Sequence, residues 1–208
     1  MKGMKSQSRD LPEEFLERLR GLETTYLTET DPMRQSGYGG GTTRWRKERE
    51  LILDAVDGDG DFLDIGYANG YLLECLVRWA KVRGHSLIPY GIDYGARLIE
   101  LAKRRLPQYA SHFYAANAWD WTPPRRSRYV YTLYDCVPNG FLSEYIDRLL
   151  NGFVEEDGRL IVGAYGSSRP GSEPAVDIAT ILKTNGYNVE GRVSCGNPVV
   201  TSVVWIQT

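Results

Sequence analysis

Asp64-Ile65-Gly66-Tyr67-Ala68-Asn69-Gly70 follows the apolar run Phe62-Leu63 and precedes a segment of helical period, and this turn decides how the chain is read. Small residues at 66, 68 and 70 let the backbone approach a ligand closely, and Gly66 can take a conformation forbidden to bulkier side chains. The amides that open the following helix can hold a carboxylate. Open α/β sheets bind their ligands outside the carboxyl ends of the strands, where strand order reverses, and a loop after a first strand lies there.

Working outward, short apolar runs ending in Asp or Gly alternate with longer segments of helical period, the pattern of a parallel sheet covered by helices. The runs predict strands at residues 61–65, 87–92, 112–116, 129–133 and 160–164, with helices near 69–81, 96–106, 142–153 and 173–185. Leu72, Leu76, Trp79 and Ala80 form one apolar stripe, and Leu98, Leu101, Ala102 and Leu106 another. Asn185-Gly186 ends the last helix, and two β-rich runs, 187–194 and 200–207, flank Cys195-Gly196-Asn197-Pro198. The expected architecture is α/β: a single doubly wound, Rossmann-like sheet, mostly parallel, with a C-terminal antiparallel hairpin at its edge and helices on both faces.

Ahead of the sheet lies a preface with a helix near 12–20, the glycine run Gly37-Tyr38-Gly39-Gly40-Gly41 and a helix from Thr43 to about Val56. The glycine run lacks the Gly-Lys-Ser/Thr and the preceding strand of a phosphate loop, so it reads as a hinge. Tyr26, Met33, Arg34, Tyr38, Arg44 and Trp45 then make residues 31–45 a lid. The division expected is 1–44 as a helical extension or lid and 45–208 as the ligand-binding domain.

The formal net charge of -2 over 208 residues gives no overall pull toward polyanions, and Arg125-Arg126-Ser127-Arg128 reads as a solvated turn. Cys75, Cys136 and Cys195 are scattered without a C-x-x-C pair, so neither a disulfide framework nor a metal site is expected. The basic start Met1 to Lys5 lacks the apolar run of a signal peptide, and no stretch has the length of a transmembrane helix, so a cytoplasmic protein is expected.

The motifs resemble those of the class I S-adenosylmethionine-dependent methyltransferase family. Its first motif is an acidic residue followed by glycines at alternate positions; here Asp64, Gly66, Ala68 and Gly70 match it, with Ala68 in place of the middle glycine. The second is the acid ending strand two, in Gly91-Ile92-Asp93-Tyr94, and the third the turn Asn117-Ala118-Trp119 after strand three, where asparagine replaces the usual aspartate. The resemblance implies S-adenosyl-L-methionine as cofactor. It implies that the 64–70 loop, with Tyr67 and Asn69, wraps the methionine moiety, that Asp64 supports its amino group, and that Asp93 accepts from the ribose hydroxyls. Tyr94, Asn117, Ala118 and Trp119 would then lie about the adenine. A carboxylate suits the ribose because it accepts from two hydroxyls at once.

The family's acceptor-facing segment follows strand four, here Tyr134-Asp135-Cys136-Val137-Pro138. Asp135 is the candidate catalytic residue, able to accept a proton or hold a cationic acceptor, and Tyr134 can line the pocket or touch the cofactor. Cys136 lacks the Pro-Cys context of a pyrimidine-methylating nucleophile and reads as a packed thiol. No Asn/Asp-Pro-Pro-Tyr/Phe motif occurs, and His85 and His112 fall at the entry ends of their strands, opposite the expected site. The function expected is in-line methyl transfer to a small organic metabolite. The alternatives are a protein or RNA methyltransferase, a catalytically silent cofactor-binding partner subunit, and, at the level of fold, an NAD-linked dehydrogenase, although G-x-G-x-x-G spacing is absent.

Overall fold

The structure, a computed structural model, describes residues 9–169 and 171–208. The basic run Met1 to Lys5 lies outside them. Seven strands form one sheet: β1 (Gly60–Ile65), β2 (Leu87–Asp93), β3 (Phe113–Ala115), β4 (Ser127–Leu133), β5 (Val154–Tyr165), β6 (Gly191–Cys195) and β7 (Thr201–Gln207). Their order is β3-β2-β1-β4-β5-β7-β6. The first five run parallel, while β7 is antiparallel to both β5 and β6. Strand order therefore reverses between β1 and β4, directly above the 64–70 turn.

The helices are α1 (Glu13–Tyr26), α2 (Thr42–Arg49), α3 (Tyr71–Val82), α4 (Ala96–Arg105), α5 (Leu142–Gly152) and α6 (Ile178–Thr184). Because side chains alternate across a strand, each central strand feeds two cores. Phe62, Tyr129, Tyr131 and Ile161 pack with Leu73, Leu76 and Trp79 of α3 and Ile99 of α4. Leu63, Val130, Leu160 and Val162 pack with Ile146 and Leu149 of α5 and Leu182 of α6. On α3 the expected Leu76, Trp79 and Ala80 are buried together with Leu73 and Cys75, while Leu72 stays half-buried.

Several elements differ in extent from the sequence pattern: the first helix runs on to Tyr26, β5 begins at Val154 rather than 160, and β6 spans only Gly191–Cys195. The helix expected over 173–185 begins only at Ile178, capped by Asp177, whose Oδ1 accepts from Thr180 N at 3.2 Å. The preceding backbone is used elsewhere: Ala175 N donates to Val199 O at 2.8 Å, and Glu173 O accepts from Ser167 N at 2.9 Å. The helix expected to reach Val56 tightens into a 3₁₀ segment, Glu50–Ala55, which buries Ile52, Leu53 and Ala55.

Residues 9–44 supply both cores. Leu11 and Phe15 enter the α5–α6 side, Met33 and Tyr38 the α3–α4 side. Trp119 Nε1 donates to Arg9 O at 2.7 Å, and the buried Asn69 amide donates to Pro32 O at 2.9 Å and Gln35 Oε1 at 3.1 Å. Arg97 N donates to Glu23 Oε1 at 2.8 Å. Three tethers thus hold the preface against the carboxyl edge of the sheet.

The arginines of 125–128 face carboxylates and carbonyls: Arg125 lies 2.6 Å from Asp61, Arg128 2.9 Å from Asp57, and Arg126 donates to Asn151 O. No helix among the described residues is long and apolar enough to cross a membrane.

Candidate active site

Two cavities, of about 380 and about 400 Å³, adjoin at the carboxyl edge of β1 and β4 and share Tyr26, Ser36, Ile65, Gly66, Ala68, Leu133 and Asp135. The first runs under the glycine-rich segment and α2. The second lies between α1 and the ends of β2 and β3. One elongated ligand can therefore cross the 64–70 turn with an end in each.

Gly66 and Gly70 are left-handed, at φ 80° and 75°, and so is Ala68 at 51°. A Cβ on Gly70 would sit 2.9 Å from that of Ala102, so this glycine brings the turn down onto α4. Ala68 carries the strain of a left-handed L-residue, about 1–2 kcal/mol, and its amide donates to Asp93 Oδ2 at 2.9 Å. Gly95 N donates to the other oxygen at 2.7 Å. A carboxylate has about four acceptor positions, so Asp93 retains capacity toward the second cavity, which it lines beside Tyr94, Asn117 and Ala118. Burial raises the Asp93 carboxyl above its usual range, and these two amides oppose the rise.

Asp64 shares the β1 face of Phe62, and its partner in register on β4 is Tyr131. It is 1% exposed, and its Oδ2 has no hydrogen-bond partner among the described residues. Burial first, and the charge of Asp93 second, push its carboxyl up to about 8. Across the same cavity stands Arg49 of α2, only 7% exposed, with Nη1 likewise unpartnered; the nearest carboxylate, Glu48, is an ion-pair neighbour at 3.6 Å. The Arg49 guanidinium lies over the Tyr165 ring, 3.5 Å from its centroid, and the Tyr165 hydroxyl bonds that of Tyr131. The cavity thus holds a buried carboxyl oxygen and a buried guanidinium nitrogen that lack hydrogen-bond partners among the described residues, an arrangement costly in isolation and complementary to a zwitterion.

Asp135 sits where the cavities meet. Its side chain keeps surface open to solvent, yet the atoms crowding this concave junction raise its carboxyl above the ordinary range, with Arg18 opposing. Tyr26 lies beside it, its hydroxyl raised by burial and then by the charges of Asp93 and Asp135. Cys136 is packed, its Sγ 3.8 Å from Ile65 O and its thiol pushed up by burial to about 12.

Of the residues singled out in the sequence, Asp64, Gly66, Tyr67, Ala68, Asp93, Tyr94, Asn117, Ala118 and Asp135 line the joined cavities. Four others are placed outside the walls. Asn69 ties the turn to the preface, and Gly70 packs on α4. Trp119 packs edge-on against Phe141, and Tyr134 packs on the α5 side of the core. His112 stacks on Tyr90 at 4.2 Å, at the opposite end of the strands. Wall residues that carried no motif include Glu48 and Arg49 of α2 and Tyr131 and Tyr165 of the sheet.

This sheet order, with the ligand-facing turn after β1, is the fold of the class I S-adenosylmethionine-dependent methyltransferases. Among solved structures, the N-methyltransferase NodS from Bradyrhizobium japonicum WM9, in complex with S-adenosyl-L-homocysteine, aligns at TM-score 0.66 and 18% identity over 91% of this chain and 97% of its own. The Burkholderia thailandensis 1,6-didemethyltoxoflavin-N1-methyltransferase, with its substrate and S-adenosylhomocysteine bound, gives 0.65 and 14% over 100% and 98%. The 4+2 cyclase SpnF gives 0.66 and 11% over 98% and 99%. No protein-family model matches the sequence, and no curated protein matches it either. Identities this low establish the fold, and the reaction has to be argued from the site.

Proposed function

We propose that the chain is an S-adenosylmethionine-dependent methyltransferase that acts on a small organic acceptor. The observation that carries this reading is the pair of buried atoms in one cavity, Asp64 Oδ2 and Arg49 Nη1, that have no hydrogen-bond partner among the described residues. They suit the ammonium and carboxylate of an amino-acid moiety. In the adjoining cavity Asp93 suits ribose hydroxyls, and Tyr94, Asn117 and Ala118 frame a space for adenine.

S-adenosylmethionine, when bound, supplies a methyl group on a positively charged sulfur. The chain's own part is mostly positioning, which can account for a large share of the rate of such a transfer. Asp64 and Arg49 would hold one end of the cofactor and Asp93 the other, and Asp135 and Tyr26 line the junction between them. Asp135 would orient the acceptor nucleophile and take its proton, its carboxyl raised above the ordinary range by the atoms that crowd it. The preface covers both cavities and restricts them to a small molecule; the pairing of the 125–128 arginines argues against a polyanion groove. The methyltransferase neighbours solved with small ligands fit the same reading.

The test is turnover of S-adenosylmethionine across a panel of amines, carboxylates, phosphates and phenols. Methylated product from one acceptor class, greatly reduced in Asp135→Asn, is expected. Tight cofactor binding with no turnover on any acceptor would instead favour a silent partner subunit.

A further inference from the structure

The acceptor itself can be narrowed by charge, an inference that rests on the cofactor reading above. The outer part of the first cavity is lined by Arg44 and Arg169, beyond the Arg49 assigned to the cofactor. Arg44 Nε donates to Glu48 Oε1 at 2.5 Å, and the same Glu48 is the ion-pair neighbour of Arg49 at 3.6 Å. One carboxylate therefore serves two guanidiniums. Arg169 has no carboxylate within ion-pair distance among the described residues. Its guanidinium passes over Gly39, where a Cβ would lie 3.0 Å from Nη2, so the glycine leaves room for this side chain beside the cavity.

Three guanidiniums, Arg44, Arg49 and Arg169, thus face two carboxylates, Glu48 and Asp135, and the buried Asp64 carboxyl, which holds its proton in the ligand-free protein, so the cavity carries one excess positive charge before any cofactor binds. With Asp64 ionised against the cofactor's ammonium and Arg49 against its carboxylate, the sulfonium would keep that excess at one. In a partly desolvated cavity such an excess is costly and attracts an anion. We propose that the methyl acceptor bears an anionic group, a carboxylate or a phosphate, seated at Arg169 with Arg44 beside it, while its nucleophilic atom points inward to Asp135.

The experiment titrates inorganic phosphate and, separately, acetate into the full chain at constant ionic strength, with potassium chloride as control. Thermal shift and calorimetry are the readouts, each with and without S-adenosylhomocysteine. Binding of either anion to the wild type above the chloride control is expected, and which one binds tells phosphate from carboxylate. Arg169→Gln should weaken that binding by about tenfold or more, the loss of one charge-assisted hydrogen bond, and Arg169→Lys should recover part of it. Both variants should bind S-adenosylhomocysteine as the wild type does. Absence of a response to either anion, or an Arg169→Gln response equal to the wild type's, overturns the proposal. Failure of S-adenosylhomocysteine to bind any of the proteins counts against the cofactor reading alone, because the anion titrations without it still decide the anion site.

Discussion

Asp64 carries the clearest physical signature at the scale of single residues. A carboxyl raised from 3.8 to about 8 keeps its proton in the folded protein, while the unfolded chain releases it from about pH 4 upward. The stability this residue contributes is therefore fully present in acid and is lost as pH rises toward 8. Thermal melts of the ligand-free protein should fall over that interval, and Asp64→Asn should flatten the curve without unfolding the chain. The ammonium of a bound cofactor reverses the preference and favours the carboxylate, so binding near about pH 6.5 should release a proton. Calorimetry in buffers of different ionisation enthalpy measures that release. An Asp64→Asn variant that keeps the wild-type pH slope and proton count would remove Asp64 from this account.

At the scale of elements, the preface closes the site through a few close approaches. Gly37 has φ 80°, and a Cβ there would meet the Tyr26 hydroxyl at 2.5 Å. Gly37→Ala should push the last turn of α1 away from the junction at Asp135 and strain the backbone, costing about 1–3 kcal/mol of stability. Turnover should drop more than cofactor affinity, because Tyr26 stands at the junction while Asp64, Arg49 and Asp93 are untouched; unchanged kinetics would remove the preface from the catalytic unit. This is also where legibility in the sequence stops. The parallel strands show as apolar runs ending at Asp64 and Asp93, because burial on both faces demands such runs and ligand binding demands the terminal acids. The insertion of β7 between β5 and β6 leaves no local mark. Nor does the late start of α6, set by the bonds of Ala175 and Glu173 to distant backbone. Arg49 is missed for the same reason: a basic residue among Arg46, Lys47 and Glu48 reads as solvated until the fold buries it.

At the scale of the whole molecule, the doubly wound sheet fixes where a ligand binds, while the reaction depends on which groups line that edge. Here the edge carries a buried acid and a guanidinium in one cavity, a second acid in the adjoining one, and a third beside the junction, which in the proposed function take an amino-acid moiety, a ribose and the acceptor. A dinucleotide carries no ammonium for Asp64, though its ribose would still suit Asp93. Calorimetry of the full chain with S-adenosylmethionine, S-adenosylhomocysteine and NAD therefore tests the central claim most directly. Binding of the first two, with no response to NAD, is the predicted result; tight binding of NAD with no response to the other two would contradict it.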